Sequence, residues 1–270
     1  HEQSYLILER LLNQTDVLVQ NLAPSAMRKI GLDYESLQAN HEKLIVCNIS
    51  GYGPGGPYQH KKAYDLLVQA EAGFLSVTGT EEHMVKAGIS VADTAAGMHA
   101  FSAILAAIIQ RGKTGKGSRI DISMLEAMVE WMGFPLYYAY DGAPPPPRRA
   151  ADHASIYPYG VFETGDQKVI LIGLQNEREW EAFCKFVLAK PNLIKDSRFS
   201  TNALRSENRN ALKGIIQALF STQTSDQISA KLDEAQIAFA NVNDMKSVWN
   251  HPQLEALNRF VATRTPEGIV

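Results

Sequence analysis

The chain has 270 residues, is 45% hydrophobic and 20% charged, and carries a formal net charge of −3. That composition is enough to bury one or two cores, and its scattered basic residues (Lys61–Lys62 and Arg148–Arg149 are only pairs) leave no electrostatic footprint for nucleic acid. Cys47 and Cys184 lie far apart in apolar runs and read as buried free thiols of a reducing compartment, neither a disulfide framework nor a metal site.

Tyr5–Asn13 reads as a helix with an apolar face at Leu6, Leu8, Leu11 and Leu12, and the terminus shows no cleavage site. Asp16–Gln20 is a short strand-type run, Ser25–Ile30 begins a helix that Gly31 stops, and Tyr34–Asn40 is another helical turn. Leu44–Ser50 (LIVCNIS) predicts a buried parallel strand. The alternation predicts an α/β sheet. Gly51-Tyr-Gly-Pro-Gly-Gly-Pro57 follows that strand. A glycine-rich loop there lets a ligand approach bare backbone, and it reads equally as a plain strand-to-helix turn. It has neither dinucleotide nor P-loop spacing.

Ala63–Gly73 predicts a helix with Tyr64 and Asp65 at its start. The stretch Ala87–Met98 then places Asp93 at the mouth of an apolar run, Thr94–Gln110, which carries no formal charge and ends in Arg111 and Gly112. The run is broken by Thr, His, Ser and Gln, so a buried core helix is expected rather than a membrane span. At a helix start a carboxylate faces the positive dipole end and unpaired N–H groups. Asp93 therefore reads either as a cap or as a carboxylate held ionised, available as nucleophile or base.

Ser118–Ser123 alternates as a half-buried strand does, and Leu125–Met132 predicts a short helix. Four prolines, Pro144–Pro147, mark a stiff linker, with a domain boundary expected over residues 134–156. Beyond it, Tyr159–Glu163 and Lys168–Ile172 flank a turn and predict a hairpin. Glu177–Leu188 predicts a helix with Trp180, Phe183 and Phe186 facing a core; Asn208–Phe220 and Ser225–Glu234 predict two more, Ser225 being a candidate cap. Ile237–Val242 and Arg259–Arg264 are strand-like. This half is expected to be a smaller α+β module over residues 157–250. Paired metal-ligand spacing is missing from the seven histidines, and no hydrolase nucleophile elbow is present. His99, six residues after Asp93, reads as a core or interface histidine.

Asp16–Asn21, Arg28–Asp33, Ile49–Gly53 with Gly56-Pro57, Ala63–Asp65, Gln69-Ala70, Ser90–Gly97, Ile104–Ala107, Thr114–Gly117 and Leu125–Ala127, in that order and spacing, resemble the class III CoA-transferases. This is the family of formyl-CoA transferase and carnitine CoA-transferase, to which alpha-methylacyl-CoA racemase is related. The resemblance implies a Rossmann-like large α/β domain, incomplete here and containing residues 1–133, a small α+β domain, and a return toward the large domain over residues 251–270. Asp93 matches the family's nucleophilic aspartate, which forms covalent acyl and CoA intermediates. Asn21, Leu22, Lys29 and Ile30 match the segment meeting the adenine end of CoA, and Lys62 and Tyr64 match residues lining the CoA and active-site channel.

The resemblance further implies a CoA thioester as substrate, with no permanently bound cofactor, and an interlocked homodimer. The histidine spacing, the near-neutral charge, the short apolar runs and the free thiols lead to an expectation of no metal, no nucleic-acid or membrane partner and a cytoplasmic location. His153–Tyr157 with Pro158–Gly160 resembles members acting on four- and five-carbon dicarboxylates such as succinate, mesaconate, itaconate or citramalate. His153 and Arg148 or Arg149 are candidates for a distal carboxylate, although arginines after a proline run are as readily solvated. Racemase relatives place a histidine where this chain has Tyr64, which weighs against racemisation, the alternative activity. The family's glycine-rich lid is not evident in its usual form; Gly173–Asn176 occupies that region. The resemblance also makes the chain a fragment of a longer protein, so a non-catalytic CoA-binding role is a third reading.

Overall fold

The structure is a computed structural model that describes residues 2–269. It divides into two compact units, His1–Ala150 and Ala151–Val270. The division follows Ala150, and residues 133–138 before it are helical.

In chain order the first unit runs α1 (Glu2–Leu12), β1 (Val17–Gln20), α2 (Pro24–Lys29), α3 (Tyr34–Gln38), β2 (Ile45–Ser50), α4 (Asp65–Glu71), α5 (Phe74–Val77), α6 (Val91–Thr114), β3 (Arg119–Ser123), α7 (Met124–Trp131) and α8 (Gly133–Tyr138). The strands form a parallel sheet, β1-β2-β3, with Gln20 opposite Asn48 and Asn48 opposite Asp121. The central strand is apolar on both faces because both are covered. On one face Leu44 and Val46 pack with Leu12 and Leu37; on the other Ile49 and Ile122 meet Ala95, Ala96 and Ala127.

Helix α6 is longer than the apolar run predicts. It begins at Val91, passes through Gly112 without stopping, and ends at Gly115, whose φ of 74° is the left-handed conformation of a helix stop. Small side chains Ala92, Ala95, Ala96, Ala100 and Ala107 form its buried face. The opposite face leaves Met98, Phe101, Leu105 and Ile109 exposed, so it is a one-sided rather than a fully buried core helix. By length and composition alone α6 could cross a membrane, contrary to the reading from its interrupted apolar run, yet its alanine face lies against the sheet.

The second unit contains β4 (Tyr159–Glu163), β5 (Val169–Gly173), α9 (Glu177–Ala182), α10 (Asn202–Glu207), α11 (Arg209–Phe220), α12 (Ser225–Glu234) and β6 (Ala238–Asn241). The strands make an antiparallel sheet, β4-β5-β6, as the expected hairpin requires. Phe162, Ile170, Ile172, Trp180, Phe183, Phe220 and Ile228 join one continuous core. Three details depart from the sequence reading. Phe186 is exposed, because a π-helical turn over Phe183–Val187 rotates it off the apolar stripe. Helix α12 is capped by Thr224, in a reciprocal box with Gln227, not by Ser225. Arg259–Thr263 forms no strand; only Arg264–Thr265 and Gly268–Ile269 pair, as a two-residue hairpin. Cys47 and Cys184 are both buried free thiols.

Candidate active site

The carboxyl ends of parallel strands are where α/β sheets present loops and helix N-termini to ligands. Here the end of β2, the glycine-rich loop after it, the loop into α4 and the first turns of α6 enclose a cavity of about 760 Å³. Asn21, Leu22, Lys62, Tyr64 and Asp93 all line it. Lys29 and Ile30 do not: Lys29 is exposed at the end of α2, and Ile30 borders a separate groove with Leu6 and Leu8.

The loops reach the cavity for steric reasons. Gly51 lets the chain leave β2 against Ala63, since a β-carbon there would sit 2.1 Å from the Ala63 β-carbon. Of the two adjacent lysines, Lys61 is held by Glu71 and lies 4.2 Å from the Tyr58 ring centroid. Among the described residues no hydrogen bond or ion pair engages Lys62, which is exposed and available to an anion. Tyr64 is 72% exposed beside it.

Asp93 is the third residue of α6, not its cap. Ser90, at the capping position, makes no side-chain capping bond. The cap comes from α4. Asp65 Oδ1 accepts the N–H groups of Ala92 at 2.8 Å and Asp93 at 3.1 Å. Its Oδ2 accepts Gln69 Nε2 at 2.6 Å, and Gln69 Oε1 in turn accepts the Ala87 N–H at 3.0 Å. Gln69 is almost fully buried, so this chain of bonds is anchored in the protein interior. The Asp93 carboxylate accepts no hydrogen bond among the described residues. Partial burial in the cavity wall, and then the negative charge of Asp65, raise its pKa above the ordinary carboxylate value. That direction is opposite to what the helix dipole alone sets.

Sequence reasoning placed Asp65 at a helix start but did not link it to α6. The available signal was Asp65 and Gln69 four residues apart on one helical face. Gln59 and His60 also line the cavity and were not singled out. They and Leu22 border a smaller neighbouring cavity of about 300 Å³ on the side of Arg28 and Arg119.

Other candidates are engaged elsewhere. Arg148 donates from Nε to the Thr80 carbonyl at 2.7 Å and from a terminal nitrogen to the Glu81 carbonyl at 2.8 Å, tying down a loop of its own unit. In the second unit, His153 Nδ1 accepts the N–H groups of Ser155 and Ile156 at 3.2 and 3.1 Å, and its ring stacks on Tyr159. In the segment Gly173–Asn176, Leu174 is buried and Asn176 caps α9. His99 is half-buried on α6 and does not line the cavity.

The fold matches a solved CaiB/BaiF family protein from Brucella suis with a TM-score of 0.86 and 30% identity, covering 99% of this chain and 70% of that one. The sequence model of CoA-transferase family III matches residues 1–270, and the chain belongs to that family. It is 34% identical to an acyl-CoA transferase of Fusarium pseudograminearum over 96% of this chain and 57% of that one. It is 32% identical to succinyl-CoA:glutarate CoA-transferase of Mus musculus, over 92% of this chain and 57% of that protein. The chain thus spans somewhat more than half the length of these curated relatives.

Proposed function

We propose that the protein carrying this chain moves coenzyme A from an acyl-CoA thioester to a small carboxylic acid, with Asp93 as the covalent nucleophile. The observation that carries this reading is the shared cavity: an unengaged carboxylate at a helix start, an available lysine and an exposed tyrosine in one space of about 760 Å³. Family membership supports the reaction class.

An Asp93 oxygen attacks the thioester carbonyl carbon; the C–S bond breaks and CoA leaves as thiolate, giving a mixed anhydride. The thiolate then attacks the Asp93 carbonyl carbon, releasing the donor as a carboxylate and leaving an aspartyl–CoA thioester. The acceptor carboxylate attacks that thioester, displacing thiolate and forming a second mixed anhydride. Thiolate attack on the acceptor's acyl carbon yields the new acyl-CoA and frees Asp93. Each step exchanges one activated acyl bond for another, so the cycle stays close to even in energy, and splitting it avoids a direct displacement. The start of α6 supplies a positive dipole end for the oxyanions that form. Lys62 meets a CoA phosphate as a point charge in this reading, supported by its lining the same cavity as Asp93.

The acceptor is a four- or five-carbon dicarboxylate in this reading, supported by the name of the mouse relative. The working form is a homodimer, consistent with the exposed apolar face of α6. The test is trapping in the full-length gene product. After incubation with succinyl-CoA and a hydroxylamine or borohydride quench, mass spectrometry should find the modification on the peptide carrying Asp93. Asp93→Ala should lose turnover by roughly 10⁴-fold or more with the fold intact. Substantial turnover by that variant, or an unmodified Asp93 after several acyl-CoAs are shown to bind, would sink the proposal.

A further inference from the structure

We propose that Asp65 is a positioning residue for Asp93: by capping α6 with its own carboxylate, it leaves the Asp93 carboxylate unengaged and nucleophilic. This rests on the reading of Asp93 as nucleophile and deepens it.

A helix start offers N–H groups to any nearby acid, and an acid that accepts them becomes a weaker base and a weaker nucleophile. The molecule shows that outcome elsewhere. Asp33 and Asp244 cap their own helices, each accepting a serine N–H and the same serine's hydroxyl, and both have lowered pKa values. Asp93 escapes it because Asp65 Oδ1 already takes the N–H groups of Ala92 and Asp93 itself. The backbone of the nucleophile is thus pinned by the same oxygen that spares its side chain. Gln69 fixes the geometry from behind, bonded to Asp65 Oδ2 and to the Ala87 N–H.

The charge of Asp65 adds a second effect, since it stands against Asp93 and disfavours the ionised form. The other titratable groups lining the cavity are Tyr52, His60, Lys61, Lys62 and Tyr64. Lys61 is paired with Glu71. From the β3–α7 side the cavity is lined by Met124, which does not titrate.

Asp65→Asn removes the charge while its amide oxygen still accepts the α6 N–H groups; it also loses the bond to Gln69, since the new Nδ2 faces the Gln69 Nε2 donor. In the full-length protein, carboxyl ¹³C NMR should show Asp93 titrating at lower pH in Asp65→Asn than in the native protein. The acid limb of kcat/KM should move to lower pH with it, and kcat should fall. Asp65→Ala removes the cap as well, and should lower kcat by about 10²-fold, the scale of a misplaced reacting group, with little change in KM for acyl-CoA. An Asp93 titration no lower in a folded Asp65→Ala protein than in Asp65→Asn, with kcat equal in the two variants, overturns the inference. So does an unmoved pH profile when Asp93→Ala is inactive. If Asp93→Ala instead remains active, the nucleophile reading fails, while the NMR titration still reports whether Asp65 acts on Asp93, so the two failures are told apart.

Discussion

In the second unit, Asp166 accepts the Thr164 hydroxyl at 2.6 Å and the Ser225 N–H at 2.9 Å, and its pKa falls to about 2. In the first unit, Asp93 accepts nothing among the described residues, and burial with a neighbouring carboxylate raises its pKa. The contrast extends beyond these two acids. Asp196, hydrogen-bonded by Arg198, is likewise at about 2, and Glu177 is lowered by Arg205. Among the described residues the second unit has one continuous core, whereas the first has three smaller apolar clusters. Asp33 of the first unit is lowered by Ser36 in the same way, so Asp93 stands apart from the hydrogen-bonded acids of both units: no hydrogen bond offsets its partial burial and the charge of Asp65.

The hardest test of the well-satisfied unit is Arg205. It is almost fully buried, forks onto Glu177 at 2.8 and 3.0 Å, donates to the Tyr157 and Phe199 carbonyls, and lies 4.9 Å from the Trp180 ring centroid. Arg205→Ala should cost about 3 kcal/mol, because it leaves the Tyr157 and Phe199 carbonyls unpaired and a cavity beside Trp180, while the exposed Glu177 carboxylate is rehydrated. Hydrogen exchange over β4 and β5 would show the loss, and native-level protection would break the comparison.

A smaller effect is expected at Thr224, whose side chain accepts the Gln227 N–H while Gln227 returns a bond to the Thr224 N–H. Thr224→Ala should cost about 1 kcal/mol, read as increased exchange of the first-turn amides of α12.

The pH dependence sharpens the contrast through its sign. Asp166 and Asp196 titrate at about 2 in the folded chain against an ordinary 3.8, so the unfolded chain binds more protons in that window. Their contribution is present above pH 3.8 and lost as pH falls toward 2. Asp93 is raised above 3.8, so the folded chain binds more protons just above that value. Its contribution is fully present below 3.8 and lost as pH rises through its folded pKa. Denaturant titrations across acid pH should therefore lose a falling component in Asp93→Asn and a rising one in Asp166→Asn. Slopes of the same sign would contradict the opposed environments.

Much of the fold was legible because its signals are local. LIVCNIS is apolar at every core position and became the buried central strand. The residues flanking Thr164–Gln167 alternate around a turn and became a hairpin. Where reading failed, a distant partner decided. Helix α6 passes Gly112 because the helix continues along the sheet and Gly115 offers the left-handed stop. Phe186 left the apolar stripe because a π turn shifted the helical phase.

The alternation of strands and helices, and an acid at the entrance of a long apolar helix, were legible in the sequence, since each depends on residues adjacent or one turn apart. Only the tertiary structure decided which acid does which work. Asp65 and Asp93 are separated by 28 positions and look alike as local signals. The chain's path brings the first under the N-terminus of α6, where it takes the hydrogen bonds, and so leaves the second without them.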